Sequence, residues 1–111
     1  MSGVVRRLIT AAKDAPAAIG AYRWVFTVLV ILALKNMGAV LHAANIDYKN
    51  VVKCTVMLAD INDFKEMNDI YSKYFSDFRP ARVAFQAGSL PKGAKVEIDA
   101  IAMVDAITDI N

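Results

Sequence analysis

The chain has 111 residues, which suffice for one compact domain and are too few for two. Its 13 basic and 11 acidic residues leave a formal charge of +2, a balance that argues against a dedicated nucleic-acid binder or a protein that binds anionic membranes. Hydrophobic residues make up 57% of the chain, above the roughly 45–50% that is usual in soluble domains. We therefore expect a homo-oligomer that buries part of this apolar surface.

The cysteine content and the apolar stretches indicate a cellular compartment. Cys54 is the single cysteine, so an intrachain disulfide is excluded, and no Asn-x-Ser/Thr glycosylation signal occurs. Both features favour a reducing, intracellular location, and we expect the cytoplasm, with the mitochondrion or nucleus as alternatives. The most apolar stretch, residues 24–34, is shorter than the about 20 residues that a membrane-spanning helix needs. Lys13 and Asp14 interrupt any secretory signal near the start.

The first half of the chain is predicted to contain two strands and one helix. The short β-branched run at residues 4–10 predicts a strand, and residues 15–20 are typical of a loop. Residues 24–31 form a continuous β-prone run, which predicts a strand buried on both faces. An amphipathic helix ending near Asn45 follows, because apolar residues recur there at helical spacing. They are Leu34, Met37, Leu41 and Ala44.

The middle of the chain is predicted to contain one strand and the clearest helix. Residues 51–58 alternate in polarity and predict a half-buried strand. Its apolar face is predicted to consist of Val52, Cys54, Val56 and Leu58. A helix capped by Asp60 or Asn62 is predicted to continue through Asp77, and Pro80 stops it. Its apolar stripe consists of Phe64, Met67, Tyr71, Tyr74 and Phe75.

The last part of the chain is predicted to form two paired strands. Residues 82–87 and 95–104 have strand-like composition, and the turn-rich segment 88–93 joins them. We expect these two strands to pair with each other across that segment.

Two charged side chains on these strands are the candidates for chemistry. Arg82 begins an otherwise apolar strand, and a guanidinium on a rigid strand suits a carboxylate because its fork matches two oxygens. Glu97 lies on the other strand, where alternation places it on one face with Asp99. A structural Arg–Glu pair, or a solvated strand face, remains the alternative interpretation from periodicity alone.

Other candidate motifs lack the residues that their chemistry needs. Gly88 and Gly93 have the glycine spacing of a phosphate-binding loop, but Ala94 stands where a lysine is required. One histidine and one cysteine cannot build a zinc site. His42 lies on the polar face of its predicted helix and is expected to be solvated. Cys54 shares a predicted face with apolar residues and is expected to be a buried, inert thiol.

Several segments, taken in order, carry a resemblance to a known family. They are Ala-Pro-Ala-Ala-Ile-Gly-Ala-Tyr at 15–22, Ala-Leu-Lys-Asn-Met-Gly at 33–38, the run from Asn-Val-Val-Lys to Ile-Asn-Asp-Phe at 50–64, Met-Asn-Asp-Ile-Tyr at 67–71, Arg-Pro-Ala-Arg at 79–82, and the run from Leu-Pro-Lys-Gly to Ala-Ile-Ala at 90–102. The chain resembles the Rid family of reactive-intermediate (imine/enamine) deaminases, also called the YjgF-type or liver perchloric-acid-soluble proteins. The resemblance covers nearly all of residues 1–111 as a single domain.

The resemblance implies a fold, an activity and a set of site residues. The implied fold is α+β and chorismate-mutase-like, a sheet backed by two helices, in a homotrimer with clefts between subunits. The implied activity is hydrolysis of 2-imino acids, such as 2-iminobutanoate and 2-iminopropanoate, to 2-keto acids and ammonia, without metal or cofactor. By the same resemblance, Arg82 grips the substrate carboxylate, Glu97 acts on the attacking water, and Tyr22 and Asn68 help bind substrate.

The chain also departs from the family pattern near its front. Gly20-Ala21-Tyr22-Arg23-Trp24 stands where the family has Gly-Pro-Tyr-Ser-Gln, and a family segment with a Ser-Gly-Gln strand is predicted to be missing between about 22 and 33. This loss predicts impaired activity. Two alternatives stay open: an endoribonuclease that inhibits translation, as described for some relatives, and a non-catalytic, chaperone-like trimer. RNA is the less favoured partner, because His42 is poorly placed as an acid–base group.

Overall fold

The structure, a computed structural model, describes residues 5–12 and 22–104, with side chains from residue 24 onward. These residues form two α-helices and four strands. In order they are β1 (Val5–Ala12), α1 (Tyr22–Ala43), β2 (Val51–Leu58), α2 (Phe64–Tyr74), β3 (Ala81–Gln86) and β4 (Val96–Met103). The strand expected at 4–10 is confirmed as β1, whereas the loop expected at 15–20 lies outside the described residues.

The four strands form one mixed sheet in the order β1-β4-β2-β3. β4 is antiparallel to both of its neighbours, whereas β2 and β3 are parallel, because α2 carries the chain back across the sheet between them. The predicted pairing of the Arg82 strand with the Glu97 strand is therefore wrong, since β2 lies between them. β4 takes a central position because its apolar residues Val96, Ile98 and Ala100 are fully buried there.

The predicted strand at 24–31 is also wrong, because these residues form the first half of the 22-residue helix α1. The apolar spacing of the helix predicted at 34–44 continues back through this segment, and burying that face outweighs the β-propensity of its residues. The buried side chains of the face are Phe26, Leu29, Val30, Ala33, Leu34, Met37 and Leu41. The helix end expected near Asn45 is confirmed at Ala43.

The helix α1 packs against β1, β4 and α2. Contrary to the expectation drawn from the short apolar stretch, α1 is long and apolar enough to cross a membrane by length and composition alone. Its inner face is part of the protein core, as in a core helix, while Trp24 and Leu32 are exposed on its outer face.

Strand β2 confirms the predicted strand at 51–58 but not all of its predicted face. Cys54 and the apolar residues after it are buried as expected. Val52 is instead 37% exposed, and Val51 is buried in its place. A register irregularity between Val51 and Lys53 causes this exchange, because one extra residue reverses the alternation on its N-terminal side.

The second helix begins as predicted and ends earlier. The carboxylate of Asp60 accepts a hydrogen bond from the Asn62 N–H at 2.9 Å and caps a short 3₁₀ turn (Ile61–Asp63) that leads into α2. The helix then stops at Tyr74, before Asp77 and Pro80. Its apolar stripe is buried against α1 and the sheet, chiefly through Met67, Ile70 and Tyr71.

The sheet has two unlike faces. One face carries the core beneath the helices. The other face, called the open face below, has no helix over it among the described residues. Its residues are Lys53, Thr55, Met57, Val83, Phe85, Glu97, Asp99 and Ile101. Val83 and Phe85 remain 48% and 42% exposed on it. The protein is thus an α+β fold, with a small mixed sheet covered by two helices on one side.

Candidate active site

A cleft of about 240 Å³ lies between α2 and the start of β3. It is lined by Asn68, Tyr71, Ser72, Phe75, Arg79, Pro80 and Arg82. Asn68 and Arg82 were expected at a substrate site by resemblance, and the fold brings them together although 14 positions separate them in sequence.

The Arg82 guanidinium is held in a defined position in this cleft. Its Nη1 donates a hydrogen bond to Oδ1 of Asn68 at 2.6 Å. Its Cζ lies 4.7 Å from the ring centre of Tyr71 and 5.5 Å from that of Phe64, which is within the range of cation–π attraction. Two aromatic rings and one amide thus orient the guanidinium, and its remaining N–H donors are available to a ligand.

The charge of Arg82 is not neutralised within the described part of the chain. Of the carboxylates in residues 24–104, none forms an ion pair with it. A half-buried guanidinium without a counter-ion attracts an anion more strongly than one in bulk water does. Arg82 is therefore suited to bind a carboxylate, and the alternative of a structural Arg82–Glu97 pair is excluded within one chain.

Asn68 and Tyr71 reach the cleft because they lie one helical turn apart on α2. Positions i and i+3 share a helix face, and this face points to the first residues of β3. The sequence pattern placed Tyr71 in the apolar stripe and gave no site role to it. The spacing of Asn68 and Tyr71, an amide and an aromatic residue at i and i+3, was the feature of the sequence that could have indicated this role.

Cys54 lies beneath Arg82, as its cross-strand partner on β2. It is a free, fully buried thiol, as expected. Burial raises the pKa of the Cys54 thiol, and the neighbouring Tyr71 hydroxyl and the charge of Arg82 partly oppose this. Burial, and then the contact with Cys54, raise the pKa of Tyr71. Both groups are neutral at physiological pH, so Tyr71 presents a neutral ring to the guanidinium.

Glu97, the second expected catalytic residue, lies on the other side of the sheet. Arg82 is paired with Cys54 on β2, and Glu97 is paired with Met57 on the same strand. Cys54 and Met57 are three positions apart on β2, so their side chains point to opposite faces. The structure does not bring Glu97 to the cleft of its own chain. Tyr22 begins α1, and its side chain lies outside the described part.

A second cleft, of about 220 Å³, contains none of the expected site residues. It is lined by Asp47, Tyr48, Lys49, Tyr74, Ser76, Asp77 and Phe78. Its two carboxylates outnumber the single ammonium of Lys49, so this cleft disfavours an anionic substrate. His42 is exposed, as expected, with Nε2 at 3.5 Å from Oδ1 of Asp47. Among residues 24–104, no three His, Cys, Asp or Glu side chains cluster as metal ligands would.

The fold and the cleft define a small α+β protein with a positively charged cleft between a helix and a parallel strand. The family model described as Endoribonuclease L-PSP matches residues 28–104. This chain belongs to that family, which is the Rid family indicated by its motifs.

Named relatives support this membership. The chain is similar to the 2-iminobutanoate/2-iminopropanoate deaminases of Capra hircus and Homo sapiens, at 43% and 42% identity over 97% of this chain and 97% of each relative. It also resembles the structure of a putative endoribonuclease from Thermotoga maritima, with 30% identity, a TM-score of 0.75, and coverage of 89% of this chain and 77% of that one. The structure of TdcF from E. coli with bound serine matches with 29% identity and a TM-score of 0.74, over 92% and 80% of the two chains.

The alignment with the Capra hircus relative is longer than this chain. It extends over 134 positions, whereas the chain has 111 residues, so the relative carries positions that have no counterpart here. The location of that gap between about 22 and 33 stays a prediction.

Proposed function

We propose that this protein hydrolyses small 2-imino acids, such as 2-iminobutanoate and 2-iminopropanoate, to 2-keto acids and ammonia. The observation that carries the proposal is the Arg82 guanidinium, oriented by Asn68 and Tyr71 and without a carboxylate partner in the described chain. A substrate with one carboxylate beside a reactive carbon needs such an anchor. The relatives named as deaminases of these imines support the choice of substrate.

The chemistry adds one water to the imine carbon and releases ammonia. The carboxylate is held by Arg82, and Phe75 and Pro80 provide apolar walls for the substrate side chain. A C–O bond forms to the water oxygen, protons move from water to the nitrogen, and the C–N bond breaks. A carboxylate near the water is suited to accept its proton and to return it to the leaving nitrogen. Glu97 has the required chemistry.

Because Glu97 lies on the opposite face of the sheet in its own chain, we propose that a partner subunit supplies it. The open face supports this assembly, since Val83 and Phe85 are exposed apolar side chains on the same face of the sheet as Glu97. An apolar sheet face of this kind favours association of identical chains. The assembly we propose is a homotrimer, in which Arg82 of one subunit and Glu97 of the next complete each site.

Ribonuclease activity, which the family description names, has weaker support in this chain. Acid–base cleavage of RNA is most often carried out by histidine. His42 is exposed, pairs with Asp47, and does not line the cleft that contains Arg82.

The proposal is tested by supplying 2-iminobutanoate in situ from a threonine dehydratase and measuring the rate of 2-oxobutanoate release. The protein is expected to accelerate this release, and Arg82→Ala is expected to abolish the acceleration. Lys73→Gln, which removes an exposed charge of α2 outside the cleft, serves as the control and should behave as the parent protein does. Lack of acceleration by the folded parent protein, or RNA cleavage that is lost in Arg82→Ala, would contradict the proposal.

A further inference from the structure

The cleft contains one more cation than a monocarboxylate substrate requires. Arg79 lines it together with Arg82, and no carboxylate is among the residues that line it. Within residues 24–104, Arg79 makes no ion pair or side-chain hydrogen bond. The two guanidiniums therefore give the cleft an uncompensated double positive charge.

The backbone restrains Arg79 more than is usual for a loop arginine. Pro80 follows it directly, which limits Arg79 to extended conformations, and β3 begins at Ala81. Arg82 is held in turn by its strand and by Asn68. Two positive groups, the exposed Arg79 and the half-buried Arg82, thus line one cleft from positions three apart in the chain, and together they attract two anionic groups more strongly than one.

We infer that the preferred substrate of this site is an imino acid with a second carboxylate, of which 2-iminosuccinate is the smallest common example. This inference rests on the proposed function. Arg82 binds the carboxylate next to the imine carbon, and Arg79 binds the carboxylate of the side chain. The Ser72 hydroxyl lines the same cleft and is a further donor for that group. Water converts 2-iminosuccinate to oxaloacetate and ammonia, with the same bonds formed and broken as for the monocarboxylate.

The size of the cleft is compatible with this ligand class. A volume of about 240 Å³ accommodates a four-carbon diacid with both carboxylates in contact with protein. A purely apolar substrate side chain would make no ionic contact with Arg79, which would stay hydrated at the edge of the cleft. Arg79 is therefore a residue that determines specificity, while Arg82 binds the carboxylate that every 2-imino acid carries next to its imine carbon.

The test compares two substrates in the parent protein and in Arg79→Gln. 2-Iminosuccinate is generated with an aspartate oxidase, and 2-iminobutanoate with a threonine dehydratase. We expect kcat/KM for 2-iminosuccinate to fall about tenfold in Arg79→Gln, mainly through KM, while that for 2-iminobutanoate changes less than about twofold. Arg79→Lys should retain most of the preference, and Lys73→Gln should change neither substrate.

A binding measurement separates failure of this inference from failure of the proposed function. Oxaloacetate and 2-oxobutanoate, the two products, are titrated calorimetrically into the parent protein and into Arg79→Gln. Tighter binding of oxaloacetate that disappears in Arg79→Gln supports the dicarboxylate site even if neither imine is hydrolysed. Hydrolysis of 2-iminobutanoate with equal effects of Arg79→Gln on both substrates and both products overturns this inference alone.

Discussion

Arg82 and Glu97 point away from each other, because the strand between them pairs with Arg82 through Cys54 and with Glu97 through Met57. The three-residue offset on β2 places the guanidinium on the helix side and the carboxylate on the open face. A reaction that needs both groups therefore requires two copies of the chain.

Inactive variants should restore activity to each other when mixed. In a trimer assembled from equal amounts of Arg82→Ala and Glu97→Gln chains, a site has both native residues where a Glu97→Gln chain supplies Arg82 and the next subunit, an Arg82→Ala chain, supplies Glu97. Random assembly gives this combination at about one quarter of the sites, so about a quarter of parent activity is expected after co-expression. The measurement is 2-iminobutanoate hydrolysis, with each variant alone as its control. Mixed assemblies without activity would contradict a shared site.

Conservative replacement of Arg82 should lower activity without unfolding the protein. Arg82→Lys keeps the positive charge, but an ammonium lacks the planar fork with which the guanidinium can bond to Asn68 and still present two parallel donors to a carboxylate. We expect hydrolysis to fall about tenfold or more, with a melting temperature close to that of the parent. Steady-state kinetics measure the fall in hydrolysis, and thermal unfolding measures the melting temperature. Undiminished turnover in the lysine variant would show that Arg82 is not the carboxylate anchor.

A charge on the open face should prevent assembly. Phe85→Glu places a carboxylate in the apolar patch beside Val83, where burial against another subunit would leave it unpaired. We expect a monomer by light scattering and loss of imine hydrolysis. Val40→Glu is the matched control, because Val40 is also an exposed apolar residue, at 47%, but lies on α1. If both variants keep the parent mass, the open face is not the interface.

Gly38 should tolerate no larger residue, although it lies inside a helix. Alanine usually stabilises a helix relative to glycine by up to about 1 kcal/mol. A Cβ at position 38, however, would clash with the Tyr48 hydroxyl and approach its Cζ to 2.9 Å. Tyr48 cannot easily move away, because its hydroxyl donates a hydrogen bond to the Leu34 carbonyl at 2.6 Å and its ring packs on Tyr74 and Phe75.

We therefore expect Gly38→Ala to lower the free energy of unfolding by about 1–3 kcal/mol, as overpacked cores do. Urea denaturation measures this change. Ala39→Gly, at the exposed neighbouring position, controls for helix propensity, and Tyr48→Phe should relieve part of the Gly38→Ala loss by removing the nearest atom. A stabilised Gly38→Ala protein would show that the close contact between α1 and Tyr48 is absent.

Stability should fall at alkaline pH. Burial raises the pKa of Cys54 above 9.0 and raises the pKa values of Tyr48 and Tyr71 above 10.0. The unfolded chain loses these protons first as pH rises, so the stabilisation is complete below about pH 9 and is lost above it. Urea midpoints measured between pH 7 and 11 should decline from about pH 9, and Cys54→Ala should flatten the first part of the decline. An unchanged slope in that variant would mean that the thiol is not the group responsible.

The sequence by itself was sufficient for what depends on short-range pattern and composition. The alternation of residues 51–58, the amphipathic stripe around Met67 and the strand-like composition near Arg82 each placed an element within a few residues. The ordered motifs identified the family and drew attention to Arg82 and Asn68. These features are local, since a strand or helix face repeats every two or about 3.6 residues.

Only the tertiary structure decided which elements are neighbours. Residues 24–31 have strand-like composition, yet they extend α1, because that helix buries Phe26 and Val30 against the rest of the core. β3 joins β2 instead of β4 because α2 returns the chain parallel to β2, and this sends Arg82 and Glu97 to different faces. Tyr71 becomes a partner of Arg82 only when α2 packs over β3. Such pairings join residues far apart in sequence, so no local pattern encodes them, and long-range packing selects them.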